Sequence, residues 1–123
     1  MSMRQVIVVT RRRSEERLLL EKLLRKEQYQ VLFHDSAGAL QAKEHDKERC
    51  TLILDLDDQP IEDLFVKRLL TILPGLGIVF LSSRSYHPEL KETFNRNVCA
   101  CIKKPVNPEE LLFCLKNLCE FRR

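Results

Sequence analysis

The chain has 123 residues, of which 44% are hydrophobic and 32% charged, with a formal net charge of +3 at pH 7. This length suits one domain with a single core, and the composition is that of an ordinary globular protein, which excludes a disordered chain and a disulfide-stapled miniprotein. Much of the positive charge comes from Arg11, Arg12, Arg13, Arg122 and Arg123, too little for a nucleic-acid footprint; there is no membrane-length apolar run and no secretion signal, so a cytoplasmic location is expected.

In chain order, the first expected strand is residues 6–10, VIVVT, followed by the three arginines. Ser14 suits a helix cap, with Glu15 and Glu16 in the first turn and Leu20, Leu23 and Leu24 on one face. A second strand is expected at 31–34 and a short helix opening at Ser36. The third strand, 51–55, runs into Asp55, Asp57 and Asp58, a carboxylate cluster that raises the question of a metal, a phosphate or a solvated turn. Ile61, Leu64, Phe65, Arg68, Leu69 and Ile72 keep a helical period that Pro74-Gly75 ends.

The fourth strand, 78–82, ends in Leu-Ser-Ser, and Pro88 suits the first turn of a fourth helix. The fifth strand, 98–103, leads into Lys104-Pro105. Asn107-Pro108-Glu109-Glu110 is a strong helix start: Asn as cap, Pro where no N–H is needed, Glu at the capping-box position. The stripe Leu111, Cys114, Leu115, Leu118 follows. The first, third and fourth strands are continuously apolar, as central strands covered on both faces are.

Five cysteines, Cys50, Cys99, Cys101, Cys114 and Cys119, read as small core hydrophobes. Cys99 and Cys101 lack the CxxC spacing of a zinc or redox motif, and Cys114 and Cys119 do not share a helical face. His34, His45 and His87 are scattered among polar residues and read as surface histidines. Tyr86 and His87 lie in the loop after the fourth strand without an evident reaction.

Regular alternation of strands and helices, with no linker or repeat, predicts a (βα)5 doubly wound parallel sheet across residues 1–123 as one domain. In such sheets chemistry gathers beyond the carboxyl ends of the strands. Asp55, Ser82 and Lys104 fall at three of those ends, and in this order the chain resembles the receiver domain of two-component response regulators. The resemblance implies the flavodoxin-like strand order 2-1-3-4-5. It makes Asp55 the phosphoacceptor position, Ser82 the residue that senses the phosphoryl group and Lys104 the one that pairs with it.

Three departures mark the chain as a degenerate receiver. The family's acidic pair, which seats Mg2+, falls on Thr10 and Arg11. Two unit charges about 4 Å apart interact by roughly 4 kcal/mol at an effective dielectric of about 20, so a cation in that seat opposes a divalent ion. No cofactor is therefore expected, and at least one of the three arginines, with Arg11 the nearest in sequence, is expected to pair with Asp55 or Asp57. The turn after Asp55 is one residue longer than the family's; Asp57 and Asp58 are weak candidates for replacement metal ligands and are expected to face solvent or cap the next helix. The family's aromatic switch position is Cys101.

The resulting expectation is a non-enzymatic signalling and protein-interaction module, the N-terminal domain of a longer regulator with a transcriptional output. It would contact its output domain, a partner protein or a second copy through the fourth helix, fifth strand and fifth helix, with no direct contact to nucleic acid or membrane. The alternative is a working phosphoacceptor, phosphorylated on Asp55 in a histidine-kinase phosphorelay with Mg2+ as cofactor. A thiol redox sensor on Cys99 and Cys101 is a third class.

Overall fold

The computed structural model describes residues 5–10, 15–36, 50–96 and 98–121. Five strands form one parallel sheet in the order β2-β1-β3-β4-β5: β1 is Gln5–Val9, β2 Gln30–His34, β3 Cys50–Asp55, β4 Gly77–Ser82 and β5 Cys99–Lys103. Helix α1 spans Glu15–Lys26, α2 Asp63–Ile72 and α3 Pro108–Phe121. All five expected strands are present, shifted by at most one residue at each end, and β1, β3 and β4 are central and buried along their whole length. Thr10 falls just beyond β1.

Alternation along the strands divides the core in two. Ile7, Val9, Leu52, Leu54, Ile78 and Phe80 face α2, against Val66 and Leu69. Val6, Val8, Ile53, Val79 and Leu81 face α1 and α3, against Leu20, Leu24, Leu111 and Leu115. Because each parallel strand feeds a crossover, every strand's carboxyl end lies at the same edge of the sheet. That edge carries Asp55, Ser82 and Lys104.

Local signals behave as their chemistry dictates. Asn107 Oδ1 accepts the backbone N–H groups of Glu109 and Glu110 at 2.8 and 3.1 Å, so the fifth expected helix, α3, is capped as read. Helix α1 closes with Gln28 at φ 66°, Tyr29 N–H donating to Leu24 O and Gln28 N–H to Arg25 O, a Schellman end built without glycine. Helix α2 begins at Asp63 rather than at Ile61. The Ser14 cap, the arginine pairing and the helix expected after Ser36 fall on residues outside those described.

The fourth expected helix is not a continuous α-helix but two 3-10 turns, Pro88–Leu90 and Thr93–Asn95. Asp63 supplies the reason. Its carboxylate accepts the backbone N–H groups of Glu92 and Thr93 at 3.1 and 2.9 Å and the Thr93 hydroxyl at 2.6 Å. Two donors that an α-helix would direct to carbonyls four residues back are thereby turned outward to α2. No helix among the described residues is long and apolar enough to cross a membrane.

Candidate functional site

Asp55 ends β3 with 3% of its surface exposed, and its two oxygens have different partners. Oδ1 accepts the Asp57 backbone N–H at 2.9 Å, an Asx turn that the carboxylate makes with its own loop. Oδ2 accepts from Lys104 Nζ at 2.7 Å. The ammonium also lies 2.9 Å from Asp57 Oδ2 and 3.5 Å from Glu16 Oε1, so one cation serves three carboxylates. Lys104 reaches them because its backbone N–H bonds Ser82 O at 2.9 Å, continuing the β4–β5 ladder past the last strand residue.

The electrostatics follow from this arrangement. Burial works against the charge on Lys104, but the bonds to Asp55 and Asp57 outweigh it and hold its pKa above the ordinary lysine value. For Asp57, desolvation is likewise outweighed, by Lys104 and by the Ser83 backbone and hydroxyl donors, so it stays ionised below the usual carboxylate range. Glu16 behaves oppositely: burial, reinforced by the neighbouring Asp55 carboxylate, pushes it up to about 7 despite Lys104.

Asp57 is exposed, as its sequence position suggests, but it does not cap α2, and its carboxylate is bonded rather than free. It crosses from the β3 turn to the β4 turn, joining Lys104 to Ser83. Asp58 is half-buried. Thr10 is fully buried at the end of β1, and its hydroxyl has no hydrogen-bond partner among the described residues. Among those residues no group of three or more His, Cys, Asp or Glu side chains is arranged to hold a metal ion.

Ser82 is also fully buried. Its Oγ accepts the Arg84 backbone N–H at 3.0 Å and lies 2.8 Å from His87 Nε2. His87 is only 7% exposed, which corrects its reading as a surface histidine. Its ring meets Phe94 edge-on at 5.4 Å, and Phe94 in turn packs on Phe80 at 5.6 Å. Cys101 is exposed on β5, opposite Phe80 in register. Burial raises the Cys99 thiol to about 11 and also raises Cys101, with Arg84 opposing the latter, which works against a thiolate-based redox role.

Glu16 and His87 are the site residues that sequence reasoning missed. Glu16 reads locally as a helix first-turn acid, which it also is. His87 is flanked by Tyr86 and Pro88 rather than by a periodic apolar pattern, so nothing local marks it as buried. The signal lay in the fold: each follows a strand end by a few residues, and all strand ends converge.

No protein-family model matches the sequence, and no curated protein matches it either. Solved structures do match in fold. A CheY-like response regulator receiver domain protein from Methanospirillum hungatei is similar at 21% identity, TM-score 0.76, over 98% of this chain and 97% of that one. A putative response regulator from Chloroflexus aurantiacus is similar at 23% identity, TM-score 0.75, over 97% and 99%. NtrX from Brucella abortus is similar at 19% identity, TM-score 0.74, over 98% of this chain but 27% of its own length. The fold is therefore that of the CheY-like receiver domains.

Proposed function

We propose that the chain is an atypical response-regulator receiver domain, a cytoplasmic signalling and interaction module that regulates an attached or partner output domain without conventional Mg2+-dependent phosphorylation. The observation that carries this reading is at the end of β1, where the receiver acidic pair falls on the fully buried, neutral Thr10 and on Arg11, so β1 supplies no carboxylate beside Asp55. A carboxylate can attack a phosphoryl donor only where the accumulating negative charge is neutralised. In this chain Lys104 supplies one such charge, shared among Asp55, Asp57 and Glu16, and the strand-one carboxylates that would hold a second cation are missing.

The donor set does not suit Mg2+, which favours a near-octahedral shell of oxygens including carboxylates. At the positions of the receiver acidic pair stand Thr10, a neutral hydroxyl, and Arg11, and the carboxylates nearest Asp55 share one lysine. No step through a metal follows. Regulation is then by contact, through the 88–95 turns, β5 and α3, where Cys101 and Phe113 are exposed. That NtrX carries this fold over 27% of its length supports an output domain in the same chain.

One observation favours the alternative of a phosphoacceptor in a histidine-kinase phosphorelay. Lys104 contacts Asp55 at 2.7 Å and Ser82 sits at the adjoining strand end, the three side chains such chemistry employs. Exposure to beryllofluoride or a small phosphodonor, with and without Mg2+, separates the two by intact mass and amide NMR. Absence of a stoichiometric adduct is expected, and a Mg2+-dependent adduct at Asp55 would establish the phosphoacceptor instead. Replacing Thr10 and Arg11 together by Asp should create Mg2+ affinity measurable by titration. A metal-blind double variant would show that the acidic-pair positions are misassigned.

A further inference from the structure

We propose that His87 sets the direction in which the buried Ser82 hydroxyl donates its proton, and so acts as a positioning residue for the Asp55 site. The inference rests on the reading of Asp55, Ser82 and Lys104 as one site. A serine hydroxyl has one proton to donate and two lone pairs with which to accept. At Ser82 one lone pair is taken by the Arg84 N–H at 3.0 Å, and the remaining short contact is His87 Nε2 at 2.8 Å. Two arrangements satisfy that contact.

With Nε2 bare, the Ser82 O–H donates to His87, and nothing remains to donate to an anion at the strand ends. With a proton on Nε2, His87 donates, Ser82 accepts twice, and its own proton is free to turn toward the edge where Lys104 and Asp55 meet. The proton on one imidazole nitrogen thus decides whether Ser82 is available as a donor. The ring cannot swing aside easily, because Phe94 meets it at 75° and Phe80 backs Phe94.

The same contacts give the hydroxyl an outlet. In the receiver pattern an aromatic on β5 follows the strand-four hydroxyl, and here that position is Cys101. The ring in contact with Ser82 is instead His87, which Phe94 meets edge-on, both on the 83–96 segment. A change at Ser82 is therefore transmitted to the segment that Asp63 fastens to α2, rather than to the outer face of β5.

The switch is therefore the proton on Nε2. The charged groups on and around the segment are Arg84 and Glu89, paired with each other at 2.8 Å, Lys91, Glu92 and Arg96, Asp57 from the β3 turn, which accepts from Ser83, Asp63 from α2, and Lys103 from β5, whose Nζ donates to Ser85 Oγ at 2.9 Å. Arg84, Asp63 and Lys103 each already have a partner of their own. Glu89 is the acid whose field reaches the imidazole.

Long-range 1H–15N NMR of the imidazole in the full chain, as a pH series without any phosphodonor, tests this. The chemical shift of Nε2 reads whether it is bare and accepts from Ser82 or carries the proton and donates to it, and Ser82→Ala should shift it in either state. Wherever the series changes the proton on Nε2, the Arg84 and Lys104 amides should move in the same step. His87→Gln should keep both amides near their wild-type alkaline positions without that step, whereas His87→Phe should displace them. The proposal is overturned if Ser82→Ala leaves the imidazole unchanged, or if the wild-type amides do not move with the proton on Nε2. The wild-type series decides even if a variant does not fold. Since no phosphodonor or Mg2+ enters, failure here is distinct from failure of the metal-independent reading.

Discussion

The two sides of the strand-end site are built on different physics. Around Asp55, stability depends on charge: three carboxylates and one ammonium, tied into the β3 and β4 turns. Around Ser82 it depends on neutral hydrogen bonds and ring packing, through His87, Phe94 and Phe80. A charge cluster fails when one member is removed or titrated, because the others are left buried without compensation. A packed neutral cluster fails in proportion to the contact it loses. The site thus joins a side whose stability rests on charge to one whose stability rests on packing.

Removing the shared cation should have the largest effect. Lys104→Met leaves Asp55, 4% exposed at its side chain, beside Asp57 and Glu16 with no counter-ion, and should destabilise by about 3 kcal/mol at pH 7.5. The sign then follows from proton uptake. Mutual repulsion raises the carboxylate pKa values in the folded state, so the folded variant binds protons more readily than the unfolded one and its deficit shrinks as pH falls. Urea denaturation at pH 7.5 and 4.5 checks this, and a deficit independent of pH would mean that Lys104 acts by packing alone.

Phe94→Ala, on the other side, should cost about 2 kcal/mol, less than a fully buried aromatic, since Phe94 is half-buried. That loss should be the same at both pH values. The contrast between the two pH responses sharpens the distinction between charge-built and shape-built sides.

The fold was legible because its signals are local and repeated. Continuous apolar runs at Val6–Val9, Leu52–Leu54 and Ile78–Leu81 fixed the central strands, and Asn107-Pro108 fixed the start of α3. The strand-end residues were legible because the (βα)5 order brings Asp55, Ser82 and Lys104 to one edge whatever the loops do. What escaped reading depends on contacts across loops. Asp63 looks like an ordinary first-turn acid, yet its bonds to Glu92 and Thr93, about thirty residues away, divide the expected fourth helix into two 3-10 turns. Asp57 lies in a polar turn whose sequence does not reveal that Ser83 and Lys104 are its neighbours. No periodicity encodes either pairing.

Glu16 gives the smallest expected effect and the most specific one. Its pKa is raised from 4.5 to about 7, by burial first and by Asp55 second. The folded state therefore holds this proton more tightly than the unfolded state does. The stability it contributes is complete below about pH 4.5 and is lost as pH rises toward 7. Asp57 has the opposite sign, with a lowered pKa, so its contribution changes only as pH falls below the ordinary aspartate range and stays constant in this window. Glu16→Gln should then flatten the stability curve between pH 4.5 and 7, with a difference from wild type under about 1 kcal/mol because solvent still screens this partly exposed side chain. Since Asp55 helps to raise the Glu16 pKa, Asp55→Asn should lower the Glu16 midpoint in a carboxyl 13C titration. Parallel wild-type and Glu16→Gln curves, or a midpoint blind to Asp55, would show that Glu16 lies outside the Lys104 cluster in solution, leaving that lysine to two carboxylates instead of three.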